Sequence, residues 1–175
     1  ILSGLVGSEM CIRDSNEIVP QAIALMPADQ RPTVVHQSGA AQIDALRANY
    51  AAAGVEAELT PFIDDTASAF AAADIIVCRA GASTVTEIAA VGAASIFVPF
   101  PSAVDDHQTT NAQFLVNAGG GWLVQQRDLT PQGLSEMLLK LERPTLVDVA
   151  LKVKNMQKIN ATREVVTACE ELAQP

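Results

Sequence analysis

Short runs of β-branched and apolar residues alternate along this chain with stretches of helical periodicity, and this alternation limits the possible folds more than any other feature. Five such runs occur, at residues 32–39, 55–63, 74–78, 94–100 and 119–126. Each has the length of a strand, and the segments between them are long enough for a few helical turns. Strands that alternate with helices predict βα units, and therefore a parallel sheet with helices on both faces.

The composition agrees with this α/β fold class. The chain has 175 residues, of which 49% are hydrophobic but only 4% aromatic, so the core must consist mainly of Ala, Val, Ile and Leu. This length favours one domain with a substantial core. The pattern predicts helices over about 40–53 and 106–118, a further helix opening at Pro131, and two C-terminal periodic stretches that lose register around Asn160.

The N-terminal segment does not fit the pattern. Residues 1–15 read ILSGLVGSEMCIRDS, with neither a helical nor a strand period. We expect this segment to be atypical, foreign to the rest of the chain or artefactual, and assign the domain to residues 16–175. A Rossmann-like half would begin with a strand and a Gly-rich turn. The readable pattern begins instead with a helix at Asn16, so that strand is missing from the prediction.

Charge and cysteine usage exclude several classes of function. The net charge is −9 with no basic cluster, which argues against nucleic-acid binding because a phosphate backbone requires clustered Lys and Arg. Cys11, Cys78 and Cys169 have neither disulfide-framework nor metal-ligand spacing, and this scatter fits a reducing compartment. No apolar run approaches the roughly 20 residues of a membrane span, so we expect no transmembrane segment.

The junction CRAGASTVTE at residues 78–87 is the most informative stretch of the chain. A buried strand leads through small residues directly into a helix. The backbone amides of about Ala82, Ser83 and Thr84 begin that helix and have no intrahelical partner, so they can bind an anion such as a diphosphate. An acidic chain with few cations would need such backbone donors.

Glu87 lies in the same helix, about one turn from the predicted anion site. Val85, Ile88 and Ala89 form the stripe expected to face the sheet, and we expect Thr84 and Glu87 to share the opposite side. A carboxylate there can accept hydrogen bonds from a vicinal diol, as in dinucleotide-binding folds. The alternative stays open, because acidic and hydroxyl residues also favour a helix start with no ligand present.

A second polar constellation follows the next strand, in PFPSAVDDHQTTN at residues 99–111. Asp105 or Asp106 can cap a helix there, and the Gln108 amide can read sugar hydroxyls. His107 could serve as a general base, but no Ser or Cys nucleophile pattern accompanies it, and a polar residue at a helix start is the simpler interpretation. We interpret His36, at another strand end, as structural. No metal-ligand motif occurs.

Several of these motifs, in order, resemble the C-terminal half of the bacterial family 28 glycosyltransferases. The motifs are HQSG, FIDD, ADIIVCRAGASTVTEIAAVGAASIFVPFP and DDHQTTNAQFL, and the likeness runs from about Asn16 to the C-terminus. The resemblance implies the C-terminal domain of a two-domain GT-B fold that holds the sugar donor UDP-N-acetylglucosamine (UDP-GlcNAc). No cofactor and no metal are expected, since the family is metal-independent.

The resemblance also assigns site residues. The uracil contact falls on the backbone of Ile63, next to Phe62, the ribose contact on Glu87, and the sugar contacts on His107 and Gln108. The diphosphate-binding helix start comprises Ala82, Ser83, Thr84, Val85 and Thr86. Gln is common in the family where this chain has His107. No catalytic residue is expected within this chain, because the family's acceptor site and proposed base lie in an N-terminal domain.

The implied reaction is transfer of GlcNAc from UDP-GlcNAc to undecaprenyl-diphosphate-linked N-acetylmuramoyl-pentapeptide, in peptidoglycan synthesis. The lipid-linked acceptor would be bound through the N-terminal domain, in a cytoplasmic protein that is peripheral on the inner face of the inner membrane. We therefore expect this chain alone to be inactive. The alternatives are a subunit of a split transferase, another GT-B enzyme such as a UDP-GlcNAc 2-epimerase, or a non-catalytic nucleotide-sugar binding module.

Overall fold

The computed structural model describes residues 2–3, 13–101 and 106–173 of the chain, and shows a six-stranded sheet in which every pairing is parallel. The strand order is β3-β2-β1-β4-β5-β6. The strands are β1 (Leu2–Ser3), β2 (Val34–Gln37), β3 (Glu58–Thr60), β4 (Ile75–Cys78), β5 (Ser95–Phe97) and β6 (Trp122–Leu123). The predicted α/β class with a parallel sheet is confirmed.

Helices connect the strands and extend past the last of them. They are α1 (Arg13–Leu25), α2 (Ile43–Ala53), α3 (Thr66–Ala72), α4 (Ala82–Val91), α5 (His107–Val116), α6 (Pro131–Lys140), α7 (Arg143–Asn155) and α8 (Ala161–Leu172). Gly54 closes α2 in the left-handed conformation, with φ of 63°, as glycine at a helix C-terminus commonly does. The Asp65 side chain caps α3 by accepting from the Ser68 N–H.

The strand missing from the sequence prediction is present in the structure. Leu2 pairs with Val34 of β2 on one side and with Ile75 of β4 on the other, so β1 lies in the middle of the sheet. The prediction that residues 1–15 lie outside the fold is therefore wrong for this strand. Helix α1 also begins at Arg13 rather than at Asn16. A strand of two residues is too short to show the alternation of side chains by which a strand is recognised in a sequence. The foreign origin of residues 1–15 stays a prediction.

Two hydrophobic layers cover the two faces of the sheet. Successive residues of β4 point to opposite faces, with Ile75 and Val77 in one cluster and Ile76 and Cys78 in the other. The first cluster is closed by buried residues of α1, α2 and α6, and the second by those of α3, α4, α5 and α7. Both faces of β4 are thus buried, which explains why its sequence reads as a continuous apolar run.

The C-terminal helices behave differently from each other. Val149 and Val153 of α7 are buried against the sheet, whereas every residue of α8 is exposed. The two helices are separated at residues 156–160, which confirms the predicted break near Asn160. Within the parts of the chain that are described, no helix has both the length and the hydropathy to cross a bilayer.

Candidate functional site

The sequence-predicted site residues follow the carboxyl ends of three strands, β3, β4 and β5. Because all strands are parallel, these ends lie along one edge of the sheet, where ligands of open α/β sheets bind. β4 and β5 are neighbours, but β3 is separated from β4 by β2 and β1. Three inter-strand spacings of about 4.8 Å put the ends of β3 and β4 roughly 14 Å apart. An extended ligand is needed to reach both.

The start of α4 offers backbone donors that take no part in the hydrogen bonds of the helix. Gly81 precedes the helix with an extended backbone, and the first helical hydrogen bond runs from the Val85 N–H to the Gly81 carbonyl, at 3.0 Å. The amides of Ala82, Ser83 and Thr84 therefore have no helical acceptor. A Cβ placed at Gly81 would meet only Thr84 Oγ1, at 3.7 Å, so the approach to these amides is sterically open.

The side chains of this helix do not all lie where the sequence pattern placed them. Thr84 is only 7% exposed and packs on the buried side together with Val85 and Ile88, so its grouping with the exposed Glu87 was wrong. Thr84 precedes Ile88 by four residues and therefore shares its face. Val85 can contribute only backbone to a ligand, because its side chain belongs to the core. The exposed Thr86 hydroxyl donates to the Ala82 carbonyl at 2.8 Å.

Arg79 connects the loop before α4 to the residues that follow β5. Its side chain is 4% exposed, and its Nη1 donates to the Val98 carbonyl at 3.0 Å and to the Pro99 carbonyl at 3.1 Å. The guanidinium also lies 5.7 Å from the centroid of the Phe100 ring. The guanidinium group thus satisfies carbonyls beyond the end of β5 and joins the two loops that carry the predicted diphosphate and sugar contacts.

Gln108 and Asn111 of α5 form hydrogen bonds with the same loop. Gln108 Oε1 accepts from the Phe100 N–H at 3.0 Å and from the Ala80 N–H at 3.4 Å, while Asn111 Nδ2 donates to the Ala80 carbonyl at 3.1 Å. Because both partners of the Gln108 oxygen are donors, the orientation of its amide is determined, and only its NH₂ group is left for a ligand.

His107 and its neighbour Asp106 begin α5. His107 is exposed as the first residue of the helix. Asp106 occupies the capping position with φ of 51°, in the left-handed region, and its carboxylate makes no capping hydrogen bond. The side-chain cap predicted for Asp106 is therefore wrong. The other candidate, Asp105, lies outside the described residues.

The loop after β3 carries the predicted nucleobase contacts. Phe62 is 62% exposed, and Ile63 is half-buried. The Ile63 N–H donates to Gln37 Oε1 at 2.8 Å, so the side chain of β2 reaches across to the backbone of this loop. Phe62 therefore presents an apolar ring on a loop that is fixed by a neighbouring strand.

The burial of His36 in β2 supports its interpretation as a structural residue. Its ring is fully buried, its Nδ1 lies 3.0 Å from the Tyr50 hydroxyl, and the two rings meet edge to face. Burial lowers the pKa of His36 to about 4, so the imidazole is neutral near pH 7. Burial likewise raises the pKa of the Tyr50 hydroxyl, which keeps it protonated.

The cysteines give no reason to add a metal or a redox centre to the site. Cys78 is buried at the end of β4, where burial raises the pKa of its thiol, and Cys169 is exposed on α8. Cys11 lies outside the described residues. Among the residues that the structure does describe, no three His, Cys, Asp or Glu side chains come close enough to hold a metal ion.

Sequence reasoning missed the residues that support the site. Gln37, Arg79 and Asn111 each bind a backbone group of a loop at the carboxyl edge. A signal was present for two of them. Asn111 follows Gln108 by three residues and so shares its helical face, and Gln37 is a polar residue at the carboxyl end of a predicted strand. Their partners are distant in sequence, which is why the contacts could not be predicted.

Comparison with known proteins shows the family to which this chain belongs. A model of the glycosyltransferase family 28 C-terminal domain matches residues 5–170. A relative from Paracidovorax citrulli (strain AAC00-1) is 71% identical over 168 residues, which are 96% of this chain and 47% of the relative. It is named UDP-N-acetylglucosamine--N-acetylmuramyl-(pentapeptide) pyrophosphoryl-undecaprenol N-acetylglucosamine transferase. A relative of the same name from Cupriavidus necator is 56% identical over 97% of this chain.

Solved structures give the same result for the fold. Acinetobacter baumannii MurG superposes with a TM-score of 0.88 at 38% identity, covering 98% of this chain and 52% of the MurG chain. The glycosyltransferase VinC, at 17% identity and a TM-score of 0.68, shows the fold alone. The predicted C-terminal half of a GT-B glycosyltransferase is thereby confirmed. The chain spans about half the length of the curated relatives it matches. By sequence and by fold, this chain belongs to the glycosyltransferase family 28 C-terminal domains.

Proposed function

We propose that this chain is the donor-binding half of a transferase that moves GlcNAc from UDP-GlcNAc to undecaprenyl-diphosphate-linked N-acetylmuramoyl-pentapeptide. The observation that carries the proposal is the start of α4. There, the amides of Ala82, Ser83 and Thr84, which have no helical acceptor, lie at the carboxyl end of β4, with exposed Glu87 one turn further along the same helix. The high identity to relatives named for this transfer supports the choice of donor and acceptor.

The proposed contacts place the parts of the donor at three segments of the carboxyl edge: the start of α4, the loop after β3 and the start of α5. The diphosphate is bound at the start of α4, where backbone donors and the helix dipole stabilise an anion without a metal. Glu87 accepts from the ribose hydroxyls, and Phe62 and the Ile63 backbone contact the base. The sugar lies toward the start of α5, near exposed His107 and half-buried Gln108. The roughly 14 Å between the ends of β3 and β4 suits a ligand extended in this way.

The chemistry of this half is limited to the donor. During transfer, negative charge develops on the leaving diphosphate, and the preorganised amides at the start of α4 stabilise it. Deprotonating and aligning the acceptor hydroxyl is assigned to an acceptor-binding half, and positioning of the two reactants alone can supply roughly 7–11 kcal/mol. We therefore expect this chain to bind UDP-GlcNAc but not to transfer sugar by itself. Assembled with an acceptor half, it would work at the cytoplasmic face of the inner membrane, where its lipid-linked acceptor is held.

The decisive experiment is calorimetric titration of the chain and two variants with UDP and with 2′,3′-dideoxy-UDP. Glu87→Gln is expected to weaken UDP binding by about 2 kcal/mol, because charged hydrogen bonds contribute roughly 1.5–3 kcal/mol. The same variant should bind dideoxy-UDP as the parent does. Glu136→Gln is the control, since Glu136 is also exposed but lies on α6, across the sheet from α4.

Other outcomes separate the alternatives. If the parent binds UDP and dideoxy-UDP equally, the ribose assignment of Glu87 is wrong. If it binds neither, the donor-half proposal fails. GlcNAc transfer to a lipid-linked acceptor by this chain alone would contradict the half-enzyme proposal, and donor binding without transfer after addition of a family 28 N-terminal domain would favour a non-catalytic binding module.

A further inference from the structure

We propose that Gln37 is a positioning residue for the nucleobase of the donor, acting through the backbone of the loop after β3. The inference rests on the proposed donor-binding function and names the residue that prepares one part of that site. Gln37 is the last residue of β2 and is 3% exposed, so its side chain is set by the interior of the domain rather than by solvent.

The peptide group between Phe62 and Ile63 is held at both of its ends. Its N–H, which belongs to Ile63, donates to Gln37 Oε1 at 2.8 Å. Its carbonyl, which belongs to Phe62, accepts from the Thr60 hydroxyl at 2.7 Å. Two hydrogen bonds on opposite sides of one planar peptide fix its rotation. The direction of the Phe62 side chain and of the next carbonyl is thereby restricted.

The backbone on either side of this peptide is also tied down. The Ser38 N–H donates to the Thr60 carbonyl at 3.1 Å, and the Gly39 N–H donates to the Pro61 carbonyl at 3.0 Å. The pairing of β2 with β3 therefore continues past the ends of both strands. These hydrogen bonds order the loop through contacts of the protein itself, which reduces the entropic cost of ordering it when a base binds.

This arrangement also selects which polar group Ile63 presents. Because Gln37 occupies the Ile63 N–H, the polar group left to a ligand is the Ile63 carbonyl, which accepts no hydrogen bond within the described residues. A carbonyl requires a donor, and the ring N3–H of uracil is one, whereas N3 of cytosine is an acceptor. Gln37 therefore favours a base with an imide N–H next to the exposed Phe62 ring.

The test compares two substitutions of Gln37 that differ in one property. Gln37→Glu keeps a side-chain oxygen that can accept from the Ile63 N–H, whereas Gln37→Met keeps the length and removes the acceptor. The ligands are UDP, CDP and N3-methyl-UDP, measured by calorimetry. Amide hydrogen exchange of Ile63 in the ligand-free proteins reports the hydrogen bond itself.

For the parent we expect UDP to bind at least tenfold more tightly than CDP or N3-methyl-UDP. Gln37→Met should weaken UDP binding about tenfold, bring the three ligands close together in affinity, and speed exchange of the Ile63 amide. Gln37→Glu should retain the preference for UDP and the slow exchange. A loss of folding alone would not produce this rescue by the acceptor-bearing variant.

Two results would overturn the inference. One is a Gln37→Met protein that folds and still prefers UDP as strongly as the parent. The other is a parent that binds UDP but shows fast exchange of the Ile63 amide. A parent that binds no UDP at all overturns the donor-half proposal and this inference with it. If Gln37→Met does not fold, Thr60→Val releases the other side of the same peptide and must reduce the preference for UDP.

Discussion

Acidification should destabilise this domain through His36, which is buried in a neutral form. The pKa of His36 is lowered to about 4 from its ordinary value of 6.5 by burial. Between these two values the unfolded chain binds a proton at this residue that the folded chain does not. The free energy of unfolding therefore rises with pH across this window. The stabilisation is complete above about pH 6.5 and is lost as the pH falls toward 4.

The magnitude follows from the size of the shift. Each pKa unit corresponds to about 1.4 kcal/mol, so a lowering from 6.5 to about 4 corresponds to roughly 3 kcal/mol across the whole window. That is a large part of the 5–15 kcal/mol typical of a folded domain. The cause is burial rather than a charged neighbour, since the partner of Nδ1 is the Tyr50 hydroxyl, which stays protonated.

Urea unfolding at closely spaced pH values between 4.5 and 7.5 measures this contribution. His36→Gln removes the titrating group at this position, so its profile reports the remaining titratable groups of the chain. The difference between the parent and this variant isolates His36. Tyr50→Phe serves as the control. Its free energy of unfolding should be about 1 kcal/mol lower at every pH, because one hydrogen bond is missing, but it should depend on pH through His36 as in the parent.

The reasoning is refuted if the parent and His36→Gln lose stability in parallel between pH 7 and 4.5. Parallel loss would mean that His36 has similar pKa values in the folded and unfolded chains, and therefore that its ring is not held neutral by burial. If Tyr50→Phe abolishes the slope as well, the hydroxyl rather than burial controls the titration.

Other substitutions test the supports of the site and the fold. Gly121→Ala should unfold the domain or lower its melting temperature strongly, because φ is 147° there and the added Cβ would lie 2.4 Å from the Ser95 carbonyl oxygen. Asp65→Ala removes the cap of α3 and should cost about 1 kcal/mol in urea unfolding. Asn111→Ala frees the Ala80 carbonyl and should weaken calorimetric UDP binding several-fold with a smaller effect on stability, so an unchanged affinity would contradict its supporting role.

Strand–helix alternation was the part of the fold that local sequence could predict well. The apolar runs that became β4 and β5 are buried on both faces, so their side-chain types alone identify them as strands of a parallel sheet. The stop at Gly54 and the break near Asn160 were equally local, since a glycine at a helix end and a change of register are visible in sequence. The order of motifs was enough to indicate the family.

The candidate site likewise has features that local sequence predicts and features that it does not. Backbone donors at the start of α4 could be predicted because any helix that follows a strand and begins with small residues exposes them. The burial of Thr84 follows from its position four residues before Ile88, although the sequence prediction grouped it with Glu87. The positions of Phe62, Glu87 and Gln108 relative to each other were undetermined until strand order was known.

Side-chain identity and periodicity therefore established the class, the family and the residues with ligand-binding chemistry, because these depend on contacts within a few residues. Tertiary structure alone established that Leu2–Ser3 form the central strand and that Gln37, Arg79 and Asn111 hold the loops. Each of those facts rests on hydrogen bonds to backbone groups of a segment far away in the chain. Backbone groups are the same in nearly every residue, so local sequence does not indicate which distant group will form a hydrogen bond with them.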